Sequence, residues 1–230
     1  MSKLPAPLRR EILDACKVLT HFHMVEGFGH VSARLPDGER IAVTPRTALA
    51  LVKAEDIVEL TIDGRQVGGN GRPPLETPMH LAVYRRRPEV QAICRAHPRH
   101  VAAFASAVEP LRCSHGFGAS LGAIVPVFDE PVLIDSPELG GRVAEVLASG
   151  DGVILRGNGM LAVGQSVPDA VVRALFMEEM AEIDLMARGA SLEPAYMTPE
   201  QVILRRGTDL PHEPVRAWEF YRAVALGEAP

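Results

Sequence analysis

The stretch LETPMHLAVYRRRPEVQAICRAHPRH, residues 75–100, decides the fold. Its first part, residues 76–87, is predicted to form a helix, and the apolar residues 92–96 a buried strand. Residues 98–106 are predicted to form a second helix with a proline in its first turn. A strand enclosed by two helices indicates an α/β protein.

The same stretch carries a dense cluster of ionisable side chains. Glu76, His80 and Tyr84 recur at helical spacing and share one face, and Arg95 and His97 share one side of the strand that follows. A carboxylate at a helix start can therefore meet a histidine at a strand end. A purely structural interpretation stays open, in which Glu76 caps its helix, His80 and Tyr84 pack with satisfied polar tips, and Arg95 pairs with Glu76.

Outward from this stretch, helical and strand periodicities alternate along the chain. They predict an amphipathic helix over residues 5–25, strands 30–34, 40–43, 57–62, 65–67, 152–155 and 160–163, helix 137–148, a capped helix that ends at Gly189, and tail helices 199–205 and 213–226. This order indicates a mixed sheet with helices on its faces. Because no linker or repeat divides the chain, we expect a single domain over residues 1–230, with a helical tail from about residue 192.

Composition narrows the function classes. The formal net charge is -5 and basic residues form no stripe, which argues against nucleic acid and membrane surfaces as partners. The first residues lack the apolar core of a signal peptide, and no apolar run reaches the roughly 18 residues that span a bilayer. Three cysteines without metal-site spacing are typical of reduced thiols, and we expect a cytoplasmic protein.

Four motifs in order resemble the class II aldolase/adducin family: GHVSAR (29–34), VTP (43–45), the stretch 75–98, and VILRGNGMLAVG (153–164). The resemblance implies a three-layer α/β/α fold with a mixed central sheet. It also implies a lyase that acts on a small-molecule substrate. This lyase is expected to form a homotetramer with active sites between neighbouring subunits.

Enzymes of this family hold a divalent metal such as zinc or manganese with a His-x-His pair and a third histidine, and use a glutamate as acid/base. Carried over by position, Glu76 matches the glutamate and His97 the second histidine, whereas Arg95 and Asn158 replace the other two histidines. A guanidinium has no lone pair and repels a dication, so a metal on His97 and Glu76 is disfavoured. Our hypothesis is that Arg95 supplies the metal's charge, Asn158 adds a donor, and His97 or Glu76 moves the proton, with His97 favoured at neutral pH.

The resemblance also bears on the substrate. Sugar-phosphate aldolases bind phosphate through small hydroxyl and glycine turns, and His30, Arg46 and Leu75 stand at the matching places here. We therefore expect a non-phosphorylated, carboxylate-bearing hydroxy or aromatic substrate. The expected substrate-binding residues are Gly29, His30, Ser32, Arg46, His115 and Tyr221. Tyr221 is expected to reach the site from the C-terminal tail.

Together these observations favour a lyase that cleaves a carbon–carbon bond by decarboxylation or retro-aldol reaction. Retention of Glu76 beside His97 favours catalysis. Two alternatives stay open: a non-catalytic, adducin-like scaffold, and a dehydratase or epimerase that uses the same pocket.

Overall fold

A mixed eight-stranded sheet forms the centre of the molecule, whose computed structural model describes residues 4–209 and 213–228. The strands are β1 (His30–Arg34), β2 (Arg40–Val43), β3 (Val58–Thr61), β4 (Gln66–Gly68), β5 (Ala92–Ala96), β6 (Leu111–Arg112), β7 (Ile124–Val125), β8 (Val127–Phe128), β9 (Gly152–Leu155) and β10 (Met160–Gly164). The order is β4-β3-β2-β1-β5-β10-β9-β8, with only β8 and β9 parallel, and β6 pairs with β7 in a separate small sheet.

Helices cover both faces of this sheet. They are α1 (Ala6–His21), α2 (Thr77–Arg86), α3 (Arg99–Ala107), α4 (Pro137–Leu147), α5 (Val167–Gly189), α6 (Pro199–Asp209) and α7 (Glu213–Leu226). Serine hydroxyls cap α4 and α5: Ser136 accepts from the Leu139 N–H, and Ser166 accepts from the Asp169 N–H. The predicted capped helix ending at Gly189 is confirmed.

Strand alternation separates two hydrophobic cores. Along β5, Ala92, Cys94 and Ala96 pack into the core that α1, α3 and α5 cover, whereas Ile93 packs under α2 and α4. Helix α7 packs in turn against α1 and α5. The expected three-layer α/β/α architecture is therefore confirmed.

The same alternation assembles a polar cluster under α2. On β1, Val31 and Ala33 face the α5 side, so His30 and Ser32 point towards α2. His30 lies opposite Arg95 in the antiparallel pair of β1 and β5. Polar side chains from two central strands therefore meet the face of α2 that carries His80 and Tyr84.

Helix α1 ends earlier than its sequence predicts, at His21 instead of residue 25. His23 adopts a φ of 55°, and the N–H groups of Met24 and Val25 both bond to the Leu19 carbonyl, which closes the helix. The Met24 carbonyl then accepts from the His97 N–H at 3.0 Å. The early end thus brings the loop before β1 to the end of β5.

Two further expectations concern membranes and thiols. Within residues 4–209 and 213–228, no helix is long and apolar enough to cross a membrane. Cys16, Cys94 and Cys113 are free and buried, in line with the expected reduced thiols.

Candidate active site

A cavity of about 660 Å³ opens where β1 begins and β5 ends. Its floor is polar and its upper walls are mainly apolar. The lining residues are Gly27, Phe28, Gly29, His30, Pro45, Arg46, Thr47, Ala48, Pro74, Leu75, Glu76, Arg95, His97, Leu133 and Asn158. All four predicted catalytic residues, Glu76, Arg95, His97 and Asn158, are in this set.

Glu76 stands at the start of α2 and is buried in the floor. Its side chain does not cap the helix, because both oxygens are used elsewhere. Oε2 pairs with Arg95 Nη2 at 2.9 Å and accepts from His30 Nε2 at 3.3 Å, while Oε1 accepts from Asn158 Nδ2 at 2.6 Å. Burial raises the pKa of this carboxyl, but the His30 hydrogen bond and the Arg95 charge outweigh it and lower the pKa to about 2.

Arg95 lies at the centre of the floor and is nearly inaccessible. Besides pairing with Glu76, its guanidinium donates to Asn158 Oδ1 and, at 2.6 Å, to His97 Nδ1. Burial lowers its pKa to about 10, against the opposing effect of the Glu76 carboxylate. Arg95 is therefore a fixed cation at neutral pH whose charge is balanced by Glu76.

His97 is an uncharged donor in this geometry. Because a guanidinium only donates, Nδ1 must accept from Arg95, and the ring proton lies on Nε2. Burial and the charge of Arg95 lower the pKa of His97 to about 4. Because Nδ1 accepts from Arg95 and Nε2 already carries the proton, the expectation that His97 takes up the proton at neutral pH does not fit this arrangement.

The turn between β9 and β10 brings Asn158 into the site. Gly159 has a φ of 77°, and a Cβ there would lie 2.2 Å from the Ala96 carbonyl oxygen. Only glycine allows the turn to lie directly against the end of β5. Asn158 then bridges Arg95 and Glu76 with its two amide atoms.

The donor set does not fit the three-imidazole metal site that the resemblance implies. Arg95 lies between Glu76, His97 and Asn158, donates to all three and has no lone pair for a metal. Within the described part of the chain, no group of three or more His, Cys, Asp or Glu side chains could hold a metal ion. The floor residues therefore do not fit a divalent metal held by histidines.

Three of the predicted substrate-binding residues line the cavity: Gly29, His30 and Arg46. Gly29 has a φ of 150°, and a Cβ there would lie 2.3 Å from Cγ1 of Val25, so a side chain is excluded at this point of the wall. Arg46 is exposed at the cavity mouth, where a guanidinium can meet an incoming anion.

The other three do not line the cavity within one chain. Ser32 is fully buried two residues further along β1, where it bonds to His80 and Tyr84. His115 pairs with Glu179 of α5 at 3.3 Å, and Tyr221 packs against Phe22 with ring centroids 5.0 Å apart. These two contacts lie on the α5 and α7 side, whereas the floor lies under α2.

Two apolar wall residues, Phe28 and Leu133, were missed from the sequence. Both are exposed, as is Leu75, which lies across the same cavity. Each stands in a loop without periodicity, so no pattern in the sequence marks it as part of a pocket.

The chain is similar to known proteins along most of its length. The Class II Aldolase and Adducin N-terminal domain model matches residues 10–185. A 3,4-dihydroxyphthalate decarboxylase from Terrabacter sp. (strain DBF63) is 33% identical over 209 residues, which cover 84% of this chain and 87% of that protein. The L-ribulose-5-phosphate 4-epimerase UlaF of Salmonella paratyphi C (strain RKS4594) is 27% identical over 220 residues, 90% of this chain and 96% of that protein.

A solved structure shares the fold. An L-fuculose 1-phosphate aldolase superimposes with a TM-score of 0.82 at 28% identity, covering 87% of this chain and 95% of the aldolase. The matched family region contains the whole cavity floor, from His30 to Asn158, and ends before the tail helices α6 and α7.

Proposed function

Because the chain belongs to the class II aldolase and adducin family and is an enzyme, we propose that it is a lyase that decarboxylates a hydroxylated aromatic acid. The observation that carries the proposal is the cavity, in which an Arg95-centred polar floor lies beneath apolar walls. A flat ring suits such walls, and the polar atoms of an aromatic acid suit such a floor.

The cavity mouth supports an aromatic acid through its apolar side chains together with one cation. Arg46 offers an exposed guanidinium that can bind an anionic group in a bidentate manner. Phe28, Leu75 and Leu133 offer apolar contacts that a ring would bury. The relative from Terrabacter is named for an acid of this class, 3,4-dihydroxyphthalate.

The floor suggests how the reaction proceeds. In a substrate with a hydroxyl next to the departing carboxylate, Glu76 removes the hydroxyl proton, and Arg95 stabilises the oxygen anion that forms. Protonated Glu76 then gives this proton to the ring carbon that bears the carboxylate. The bond between this ring carbon and the carboxylate then breaks, and CO₂ leaves. The electron pair of that bond restores the aromatic ring and forms the oxygen anion again, which takes a proton from water. In the net reaction, one carboxylate group and one proton are consumed, and one CO₂ molecule and one C–H bond are formed.

Glu76 becomes a stronger base when the substrate is bound. In the free site burial raises the pKa of Glu76, but the His30 hydrogen bond and the charge of Arg95 outweigh it and lower the pKa to about 2. An oxygen anion beside Arg95 shares that charge and repels the carboxylate, so the pKa of Glu76 rises during proton transfer. His97 Nε2–H and Asn158 can add hydrogen bonds to the same oxygen.

The test is CO₂ release by purified, chelator-treated protein supplied with 3,4-dihydroxyphthalate and a panel of hydroxybenzoates. We expect turnover with a hydroxyl adjacent to a carboxylate and none with phthalate, which lacks the hydroxyl. Cleavage of L-fuculose 1-phosphate without any CO₂ release would replace decarboxylation by retro-aldol chemistry. Activity that returns only when a divalent metal is added would overturn the metal-free role of Arg95.

We also propose that the protein acts in the cytoplasm as a homotetramer with active sites between subunits. The family resemblance supports the assembly, and three free, buried thiols suit a reducing compartment. A single domain over residues 1–230 likewise stays a prediction.

A further inference from the structure

Behind Glu76, a line of buried polar side chains runs away from the cavity between β1 and α2. His30 Nε2 contacts Glu76 Oε2 at 3.3 Å, and His30 Nδ1 contacts His80 Nε2 at 2.7 Å. His80 Nδ1 contacts Ser32 Oγ at 2.7 Å, which contacts the Tyr84 hydroxyl at 2.9 Å. Only His30 touches the cavity, so the proposed reaction does not use the other three directly.

Elementary hydrogen-bond rules fix the direction of this line. An ionised Glu76 only accepts, so His30 carries its proton on Nε2 and accepts at Nδ1. His80 must then donate from Nε2 and accept at Nδ1 from the Ser32 hydroxyl. Ser32 in turn accepts from the Tyr84 hydroxyl. Each group donates once along the line, and both imidazoles are uncharged.

The reverse direction requires either a protonated Glu76 that donates to His30 or a His30 ring that carries protons on both nitrogens. Arg95 pairs with the same Glu76 oxygen that faces His30, and Asn158 donates to the other one. Both contacts stabilise the carboxylate, and the burial of His30 opposite the charged Arg95 disfavours a doubly protonated ring, so the first direction holds in the free enzyme.

We propose that His80, Ser32 and Tyr84 are positioning residues that fix His30 as an Nε2–H donor and close the interior behind Glu76 to protons. With every acceptor along the line already filled, a proton that Glu76 takes from the substrate cannot pass inward and is returned to the substrate. In this direction the line cannot accept a proton from Glu76. Its catalytic consequence rests on the proposed function, whereas its hydrogen-bond direction does not.

Burial supports this assignment. His80 is inaccessible and His30 nearly so, and desolvation lowers the pKa of both rings, with the charge of Arg95 acting in the same direction. At the far end, burial raises the pKa of the Tyr84 phenol well above its usual range. Neither end of the line therefore accommodates an extra charge.

The first test is spectroscopic and uses full-length protein labelled with ¹⁵N-histidine. Ring nitrogen shifts distinguish the two neutral tautomers, and His30→Gln and His80→Gln assign the signals. We expect both rings at pH 7 to be neutral with the proton on Nε2. Tyr84→Phe and Ser32→Ala should each shift the ring nitrogen signals of His80 and, through His80, those of His30. A proton on Nδ1 of His30, a doubly protonated ring, or ring nitrogen shifts that are unchanged in both variants would refute the assigned hydrogen-bond direction.

The second test is kinetic, with CO₂ release from 3,4-dihydroxyphthalate. Ser32→Ala and Tyr84→Phe each remove one oxygen, and each should lower kcat on the order of 10-fold with little change in KM. Ser32→Thr, which keeps the hydroxyl, should recover most of the loss. Ser106→Ala, on the exposed side of α3, is the matched control and should leave kcat unchanged. An unchanged kcat in Ser32→Ala would refute the positioning role, whereas a wild-type protein without turnover but with the expected tautomers would refute only the proposed function.

Discussion

At the scale of single residues, the exchange of a histidine for Arg95 changes the kind of chemistry that the floor supports. A guanidinium offers several donors in a rigid plane, and Arg95 uses them towards Glu76, His97 and Asn158 at once. The same contacts that hold the cation also set the tautomer of His97 and the charge of Glu76. A change at Arg95 therefore disturbs all of these side chains.

The first prediction concerns Arg95→Lys. Lysine keeps the charge but cannot reach three partners in one plane, so Glu76 and His97 lose their fixed orientation. We expect kcat/KM for decarboxylation to fall on the order of 100-fold, which steady-state CO₂ release measures. Arg99→Lys is the matched control, because Arg99 is 85% exposed and its pair with Glu26 lies on the surface. Equal activity of the two variants would contradict a role for the guanidinium plane.

The second prediction concerns the buried ion pair. Arg95→Met leaves the Glu76 carboxylate buried without its cation, which should lower the free energy of unfolding by about 3–5 kcal/mol. Adding Glu76→Gln removes the unpaired charge and should restore part of that loss. Urea unfolding of the two single variants and the double variant measures the coupling. Strictly additive effects would show that the pair contributes no coupling energy.

Much of the floor could be predicted from the sequence, for a physical reason. Helical spacing placed Glu76 and His80 on one face, and strand alternation placed Arg95 and His97 on one side. The family resemblance, and not periodicity, indicated that these residues meet in one site with Asn158. The places of Ser32, His115 and Tyr221 could not be predicted, because they depend on depth along β1 and on which sheet face a distant segment covers. The catalytic roles of the floor residues stay predictions.

At the scale of elements, one side chain of α5 anchors the start of α3. Pro98 precedes α3 and offers no side-chain cap, and Glu178 supplies it instead: its two oxygens accept from the N–H groups of His100 and Val101, both at 3.0 Å. Because α3 follows His97 directly, this contact also fixes one edge of the cavity. Sequence reasoning did not find it, since Glu178 is distant in the chain.

The third prediction is that Glu178→Ala lowers the free energy of unfolding by about 1–3 kcal/mol, because two partly buried N–H groups lose their carboxylate acceptor. We also expect a lower kcat, since His97 is less firmly held. Thermal unfolding and CO₂ release measure the two effects. Glu182→Ala, at an exposed position of the same helix, is the control. If both variants unfold at the same temperature, Glu178 does not act as the cap.

The elements themselves followed from periodicity, but their order in the sheet did not. Strands β1 and β10 both pair with β5, although neither is its neighbour in sequence. Such pairings depend on contacts between distant segments, which a local pattern does not contain. The family resemblance supplied the three-layer arrangement that periodicity left open.

At the scale of the whole molecule, several buried imidazoles make stability depend on pH. Burial and Arg95 lower the pKa of His97 to about 4, and burial lowers those of His30 and His80 as well. In the unfolded chain these groups titrate near 6.5, so the unfolded chain binds more protons below that pH. The lowered pKa of Glu76, about 2, acts in the same direction at still lower pH.

The fourth prediction is that the free energy of unfolding decreases as the pH falls from about 6.5 towards 4. Urea midpoints at pH 8, 7, 6 and 5 measure it. His97→Asn removes one of the titrating groups and should flatten the decline. Midpoints that stay constant from pH 8 to 5 would mean that these rings take up protons as readily in the folded state as in the unfolded chain.

The last prediction concerns assembly. Phe28 is 80% exposed at the cavity rim, and Ile203, Leu204 and Phe220 of the tail helices are each at least 60% exposed. The family resemblance implies a homotetramer, and these exposed apolar side chains offer surface that a neighbouring chain can cover. We expect sedimentation to give a mass about four times the 24.8 kDa of one chain. If the cavity is completed by a neighbour, specific activity should fall when the protein is diluted until it dissociates. A monomer with undiminished activity would place the whole active site within one chain, where Tyr221 and His115 lie away from the cavity.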